Sequence, residues 1–547
     1  MNQNSKKLLL VLIFTFFVHI QYLNSGFIWL DHNDIEQGFT ILPLNELFRS
    51  LTTPFGQTSF YRPLVVALNS LNMAVLGTPF GFHLINLALH LFVVFLFYKF
   101  MKIYSKLDNN HILIGAIILG IHPLSILIIG SITHRQESLL LIFTLLSLNF
   151  YKQYVDGGML KDKLFLLLTF ILSLLTKETA IVVLPISFVF LGLVDRKFKK
   201  FIKLYLTILL IAVLYLITRS YVVPSIWASY GESLSIDKYI ATRIGLFFKM
   251  VIELINPTKP SFSDSTEILS LTNYKVFLAL LTVIVATRSA LKRGMNSEFV
   301  ISFCLTLVFL APGLNIIPVP RISSPHYAYL ALPFFIWFIL TGIGSVGKKF
   351  QKYFNCALYL WIFVATLVSF NSGKYFRDDL TFFSNELKYD SNFLEAHYYL
   401  GNYYLNKGDF KNAEYEYKQA LENKEDKLVY IDKGSAIMNL AAVRFNLGKF
   451  EESDKLYDSI YKDSPYELQK LILYNKALIA QQDNNHQKVI DLLSDIHWNR
   501  ADGYLLLAES FHELSMYDKE IEAITKSLKY LDEETKKDLL NYIDTIK

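Results

Sequence analysis

Two carboxylates flank an imidazole in Asp31-His32-Asn33-Asp34, directly after the first apolar run of this 547-residue chain. Ionisable groups at the exit of a membrane segment are costly and are functional more often than structural. A carboxylate placed there can act as a general base on an acceptor hydroxyl. The structural alternative is helix capping or an interfacial turn, both of which Asp and Asn favour. His32 between the acids leaves a divalent cation open as cofactor. One His and two carboxylates without further ligand spacing do not define a metal site.

A second set of ionisable residues interrupts otherwise apolar sequence: Arg62, Arg135, Glu137, Lys177, Glu178, Arg321 and His326. Opposite charges beside membrane spans pair to limit desolvation, and several cations beside carboxylates suit an anionic, lipid-borne substrate. Arg is the natural phosphate clamp and Lys a point charge for the same task. Taken singly, each cation reads as a snorkelling or ion-paired group at a span end. Lys177-Glu178 is the exception, because it splits the apolar run from Leu164 to Val194. His83, Asn86 and His90 share one helical face, which suits a polar stripe packing spans together.

The elements that must position these residues follow from composition. The chain is 53% hydrophobic and 18% charged, with 44 Phe and 33 Tyr, but that average hides two regions. Residues 1–373 are a succession of apolar runs, and 374–547 are polar, Lys/Glu/Asp/Tyr-rich and helical in pattern. Lys6-Lys7 before the first run fits a retained signal anchor. Basic clusters from Lys6-Lys7 to Lys348/Lys349/Lys352 should be cytoplasmic. They predict about eleven spans, near 8–24, 82–100, 110–131, 137–151, 164–176, 180–194, 201–218, 274–290, 297–311, 327–346 and 355–371. The N-terminus is then cytoplasmic, and the loop 25–81, the stray charges and the C-terminal region all lie outside; whether Tyr239 to Ile255 crosses stays open. The net charge of +5 reports topology and does not point to nucleic acid. Cys304 and Cys356 both lie in apolar runs, which excludes a cysteine metal site.

From about Phe393 the sequence repeats at a length close to that of tetratricopeptide units. The clearest unit is Leu400-Gly401, Tyr404, Gly408, Ala413, Tyr417 and Ala420, where small residues let paired helices approach. Further units run through Leu440-Ala441 and Gly448, through Ala477 and Val489, and through Leu507-Ala508 and Ile524. Such an array makes an α-solenoid with a concave binding face for a protein.

In order along the chain, these motifs resemble the transmembrane and tetratricopeptide-repeat-containing O-mannosyltransferases and their bacterial relatives, in the GT-C superfamily. The resemblance rests on the acidic motif after the first span, Tyr61-Arg62-Pro63-Leu64, Gly81-Phe82-His83-Leu84, His122-Pro123, Arg135-Gln136-Glu137, Thr176-Lys177-Glu178-Thr179-Ala180, His326-Tyr327-Ala328-Tyr329-Leu330 and the terminal repeats. It implies an all-α protein, a polytopic GT-C-type helix bundle followed by a soluble repeat solenoid, in the cytoplasmic membrane of a bacterium. It also implies a glycosyltransferase that moves a mannose-like sugar, with inversion, from a polyprenyl-phosphate donor to Ser or Thr of a repeat-bound protein. Catalysis carries over to Asp31, with Asp34 in reserve because the family's first paired acid is Leu30 here; Leu127 and His326-Tyr327 are further departures. Arg62, Arg135, Glu137, Lys177, Glu178, Arg321 and His326 carry over as substrate-binding residues. A non-catalytic scaffold recruiting a protein partner, or an enzyme acting on lipid or glycan acceptors, are the alternatives.

Overall fold

The computed structural model describes all residues except 1–2, 57, 224–233, 295–296, 317–318, 320, 345–347, 423, 425 and 547. Parts of the expected outer loops 219–273 and 312–326 therefore lie outside the described residues, as do the side chains of Lys348 and Lys349. The chain forms two compact units, Met1–Phe393 with Lys424–Tyr430, and Leu394–Asn423 with Ile431–Lys547.

The first unit contains α1 (Gln3–Val18), α2 (Pro63–Leu76), α3 (Pro79–Tyr104), α4 (Asn109–Ile121), α5 (Ser125–Gly130), α6 (Arg135–Gly157), α7 (Leu160–Leu174) and α8 (Ala180–Val194). It continues with α9 (Ile202–Val222), α10 (Ile236–Ile255), α11 (Tyr274–Leu291), α12 (Glu298–Leu310), α13 (His326–Tyr329), α14 (Leu332–Gly344), α15 (Lys348–Ser372) and α16 (Asp379–Glu386). One short antiparallel pair, Thr266–Glu267 with Lys427–Leu428, departs from the all-α expectation. The apolar core runs through α3, α4, α6, α8 and α14, with Phe97, Phe100, Leu119, Leu145, Phe188 and Trp337 fully enclosed.

Among the described residues, four helices are long and apolar enough to cross a membrane: Pro79–Tyr104, Phe198–Val222, Tyr274–Leu291 and Phe350–Phe376. This corrects the expectation of about eleven spans. Hydropathy counts apolar residues but does not see where the helix stops. Run 110–131 is broken at His122, whose backbone is extended because Pro123 follows it, and resumes as the six-residue α5. Run 327–346 is divided between α13 and α14, and run 8–24 leaves the α conformation after Val18. At about 1.5 Å per residue, the 15 residues of α7 or α8 reach only about 22 Å of an apolar layer about 30 Å thick. The polar residues of α6 and α10, including Arg135, Glu137, Lys249 and Glu253, keep those two longer helices out of the set.

The first unit extends past residue 373, where the apolar runs end, because α16 belongs to it. Phe382 and Phe383 are fully buried, and Glu386 accepts a hydrogen bond from Lys259 and one from Phe262 N at 2.9 Å. Asp378 caps this helix through Thr381 N at 2.8 Å.

The second unit stacks α17 (Leu394–Asn406), α18 (Phe410–Ala420), α19 (Lys433–Asn446), α20 (Phe450–Tyr461), α21 (Tyr466–Gln482), α22 (His486–Leu493), α23 (Ala501–Glu513) and α24 (Tyr517–Ser527) as four helix pairs, followed by α25 (Glu533–Ile546). A Cβ at Gly401 would sit 2.6 Å from the Tyr417 ring, so only glycine lets α17 and α18 approach this closely. The turn inside each pair holds one left-handed residue, Gly408, Gly448, Asn484 and Ser515 in succession. The tetratricopeptide-like geometry thus persists where the glycine signal has been lost.

Candidate active site

The site is assembled at the start of α6, where three consecutive side chains reach different parts of the first unit. Neighbouring side chains on a helix point about 100° apart. Arg135 is fully buried and donates to Asn86 Oδ1 at 2.9 Å, Asn69 Oδ1 at 3.1 Å and the Phe82 carbonyl at 3.1 Å, joining α2 to α3. Gln136 accepts from Arg62 Nη1 at 2.8 Å. Glu137 accepts from Lys177 and lies 3.9 Å from His326 Nε2. Arg62 precedes Pro63, which opens α2, and its Nε donates to Glu178 Oε2 at 3.2 Å, while Tyr61 N donates to Glu178 Oε1 at 2.8 Å. The guanidinium of Arg62 also lies 4.1 Å from the Phe60 ring centre.

Asp31 and Asp34 occupy different environments. Asp31 is fully buried; its carboxylate accepts from Thr133 N at 2.9 Å, Ile132 N at 3.2 Å, Thr133 Oγ1 at 3.2 Å and Ser131 Oγ at 3.3 Å. Those donors open the turn Ile132–His134 that leads into α6, so Asp31 caps that turn. Burial pushes its carboxyl up to about 6, against the lowering effect of these hydrogen bonds. Asp34 lies in a single π-helical turn, His32–Glu36, a geometry frequent at functional sites. It is half-buried, and among the described residues no hydrogen bond reaches its carboxylate. Burial and the charge of Asp31 push it up to about 7, while Arg62 and Arg321 pull the other way.

The backbone of Asp34 is fixed even though its carboxylate is not. Thr40 Oγ1 donates to the Asp34 carbonyl at 2.8 Å, Asn69 Nδ2 donates to Thr40 Oγ1 at 2.9 Å, and Asn69 receives Arg135. On the other flank, Asp379 of α16 accepts from Trp29 N at 2.9 Å and holds His32 Nε2 at 3.0 Å. His32 also bonds Glu36 through Nδ1, and these two carboxylates outweigh burial to hold its ring at about 9. Trp29 is in the left-handed region at φ 57°, a strained position for a bulky residue, packed by Phe382, Phe383 and Phe393.

His134 and His326 face one another with ring centres 4.7 Å apart. Burial and then the neighbouring cations push His134 down to about 3, and burial likewise keeps His326 neutral. Arg321 is half-buried and lies 5.0 Å from the Trp29 ring. Among the described residues no group of three or more His, Cys, Asp or Glu side chains is placed to hold a metal ion. Both ring nitrogens of His32 are directed at carboxylates instead.

Two of the residues singled out from sequence are enclosed by protein groups. Arg135 is enclosed, with its guanidinium directed at Asn69, Asn86 and the Phe82 carbonyl. The Asp31 carboxylate is held by the turn before α6, whereas among the described residues no hydrogen bond reaches that of Asp34. The remaining residues, Arg62, Glu137, Lys177, Glu178, Arg321 and His326, come together around the same acids and the start of α6. Asp379, Gln136 and Asn69 were not singled out by sequence. For Asp379 the signal was present, in the aromatic run Phe382-Phe383 just after the apolar region ends. The expected packing stripe is observed: His83 lies 3.1 Å from the Gly26 carbonyl, and His90 is 2.9 Å from Tyr329 OH.

No family model matches the chain. Protein O-mannosyl-transferase F38B6.6 of Caenorhabditis elegans is 23% identical over 453 residues, 77% of this chain and 63% of that protein. Protein O-mannosyl-transferase TMTC3 of Homo sapiens is 21% identical over 563 residues, 91% of this chain and 59% of that protein. The chain thus spans about three fifths of the length of these curated relatives. The crystal structure of yeast Tom70 superposes over 76% of this chain and 92% of that one at 13% identity, with a TM-score of 0.21 that carries no fold argument. Over most of its length the chain is a distant homologue of tetratricopeptide-repeat-containing protein O-mannosyl-transferases.

Proposed function

We propose that the protein is a membrane glycosyltransferase that moves a mannose-like sugar from a polyprenyl-phosphate donor to Ser or Thr of an acceptor protein bound by the repeats. The observation that carries this reading is Asp34: a half-buried carboxylate that no hydrogen bond reaches among the described residues, pushed up to about 7 by burial and Asp31 against the pull of Arg62 and Arg321. A base titrating near neutrality balances availability against proton affinity. In the step, the acceptor hydroxyl oxygen bonds to the anomeric carbon from the face opposite the phosphate, and its proton passes to Asp34. The carbon–oxygen bond to the phosphate breaks, and polyprenyl phosphate leaves with the electron pair, inverting the centre. Arg62, Lys177 and Arg321 stabilise that leaving charge, the first two already oriented by Glu178 and Glu137.

The repeats raise the effective concentration of the acceptor and take no part in the chemistry. A second reading, a non-catalytic scaffold, is favoured by the pairing of Lys177 with Glu137 and of Arg62 with Glu178. Purified protein incubated with a radiolabelled polyprenyl-phosphate sugar and a cell extract separates the two. Label on protein that disappears in Asp34→Asn supports transfer. Undiminished label in that variant overturns the assignment of the base, and no label with any donor supports the scaffold.

A further inference from the structure

A groove of about 430 Å³ runs between α8 and α9. Ile181, Pro185 and Val189 line one wall, and Leu209, Ala212 and Leu216 the other. From Ile202 to Leu216 the α9 wall covers about 21 Å at about 1.5 Å per residue, roughly two thirds of an apolar layer about 30 Å thick. The helix that carries this wall is one of the four able to cross a membrane. The only polar side-chain atom in the lining is the Tyr205 hydroxyl, which is bonded to Tyr151 OH at 2.9 Å and seats against α8 where Gly192 has no side chain. The groove therefore offers an occupant hydrocarbon surface and no free side-chain donor.

One end of the groove adjoins the candidate site. Ile181 lies one turn after Lys177-Glu178, and its N–H donates to the Glu178 carbonyl at 3.2 Å. Tyr215, between Ala212 and Leu216, has its ring centre 6.0 Å from that of Tyr61, whose N–H donates to Glu178. Arg219 lies one turn beyond Leu216, is half-buried and donates to the Ser59 carbonyl at 3.1 Å. Among the described residues no carboxylate pairs with it. The short segment 59–62 thus holds Arg219 at Ser59 and Arg62 over the Phe60 ring, so the apolar wall of α9 ends at a pair of cations.

We infer that the groove between α8 and α9 is the subsite for the isoprenoid chain of the donor, with Arg219 at its head binding the phosphate. The inference rests on the reading of the donor as a polyprenyl-phosphate sugar. In such a lipid the hydrocarbon begins at the carbon bonded to the phosphate ester oxygen, so an apolar wall can follow a cation directly, as Leu216 and Arg219 do here. A glycerophospholipid instead places two ester carbonyls between its phosphate and its chains. Those acceptors would lie against apolar side chains without donors, which disfavours it as the occupant. The charge-assisted hydrogen bonds of an Arg to phosphate are worth about ten- to hundredfold in affinity.

The test uses a sugar-free polyprenyl phosphate carrying a diazirine in mid-chain, photolysed with the full-length protein in phosphatidylcholine vesicles. Labelled peptides are mapped by mass spectrometry. Label should fall on α8 and α9, and excess unlabelled polyprenyl phosphate should remove it while the same excess of phosphatidylglycerol should not. Leu209→Trp, which fills the groove, should lower labelling about tenfold. Leu210→Trp, on the same helix but outside the lining, should leave it unchanged and separates filling from misfolding. Arg219→Gln should raise the half-saturating mole fraction about ten- to hundredfold, yet leave labelling by the uncharged polyprenol probe as in the parent. Label on other helices, displacement by phosphatidylglycerol, equal effects of the two Trp variants, or an equal effect of Arg219→Gln on both probes overturns the inference. The measurement needs no sugar, acceptor or base. Failure of the assigned base, seen as full transfer by Asp34→Asn, is therefore separable from failure of the groove, seen as undiminished transfer from the polyprenyl-phosphate donor by Leu209→Trp.

Discussion

Replacing Asp34 by Asn should remove activity and add stability, the gain in stability growing from about pH 4 and complete at about pH 7. The carboxyl is raised from its ordinary value of 3.8 to about 7 by burial and by Asp31. A raised carboxyl stabilises the fold while protonated, and that contribution is lost as pH rises through the folded value. Three units correspond to about 4 kcal/mol at about 1.4 kcal/mol per unit, and partial exposure and solvent screening reduce this to about 2 kcal/mol. Asn carries no such cost and breaks no hydrogen bond, since none reaches the Asp34 carboxylate among the described residues. Thermal melting should therefore show the variant above the parent at about pH 8 and equal to it at about pH 4, where both acids are protonated. Transfer should fall by about 10² to 10⁴-fold, the range of general-base catalysis. Asp31→Asn is the contrast: it turns an acceptor toward the Ile132 N–H into a donor and should cost about 1–3 kcal/mol at either pH. Equal destabilisation of Asp34→Asn at both pH values, or transfer retained within about tenfold, would refute the reasoning.

In the parent protein the transfer rate should climb with pH through about 7 as Asp34 ionises, whereas the decline in melting temperature should run from about pH 4 and level off above about 7; a rate independent of pH near 7 removes Asp34 as the base. Arg135→Lys keeps the charge but can satisfy only part of a three-way hydrogen-bond set, so it should lose about 3 kcal/mol or more, read as lower yield and melting temperature with an unchanged KM in the protein that folds. Truncation after residue 430 should preserve a folded first unit. Truncation after residue 378 removes Glu386 and leaves Lys259 buried without its carboxylate, a loss of about 3–5 kcal/mol measurable by melting.

The acids and most of their neighbours were legible because each motif sits where an apolar run begins or ends, and those junctions are where helices α2, α6, α8 and α13 start. Roles were harder to read than places. Sequence ranks Asp31 first, but its burial beneath Ser131, Ile132 and Thr133 is a contact across a hundred residues that no local pattern reports. The number of spans was misread because an apolar window runs on across His122-Pro123, where the helix stops. Helix α16 was averaged into the polar C-terminal region although its aromatic face belongs to the first unit. In the repeats, Gly408 and Gly448 announce their left-handed turns, whereas Asn484 and Ser515 adopt the same conformation with little or no signal in residue type.

A general base must hold its carboxylate in one place and yet leave it without strong donors, which would lower its proton affinity. A short polar turn on its own does the reverse, because loose backbone N–H groups fold back onto the nearest acid. Here the surrounding donors are directed elsewhere. The N–H groups of Ile132 and Thr133 go to Asp31, Trp29 N goes to Asp379, and the Thr40 hydroxyl takes the Asp34 carbonyl, itself held through Asn69 by Arg135. The backbone of the acid turn is thus gripped from α2, from the turn before α6 and from α16, while the Asp34 side chain is left to Asp31 and two cations. On this account Asp31, Arg135 and Asp379 matter because they keep hydrogen bonds off Asp34. Loosening any of the three should bring donors onto Asp34 and lower the midpoint of its titration.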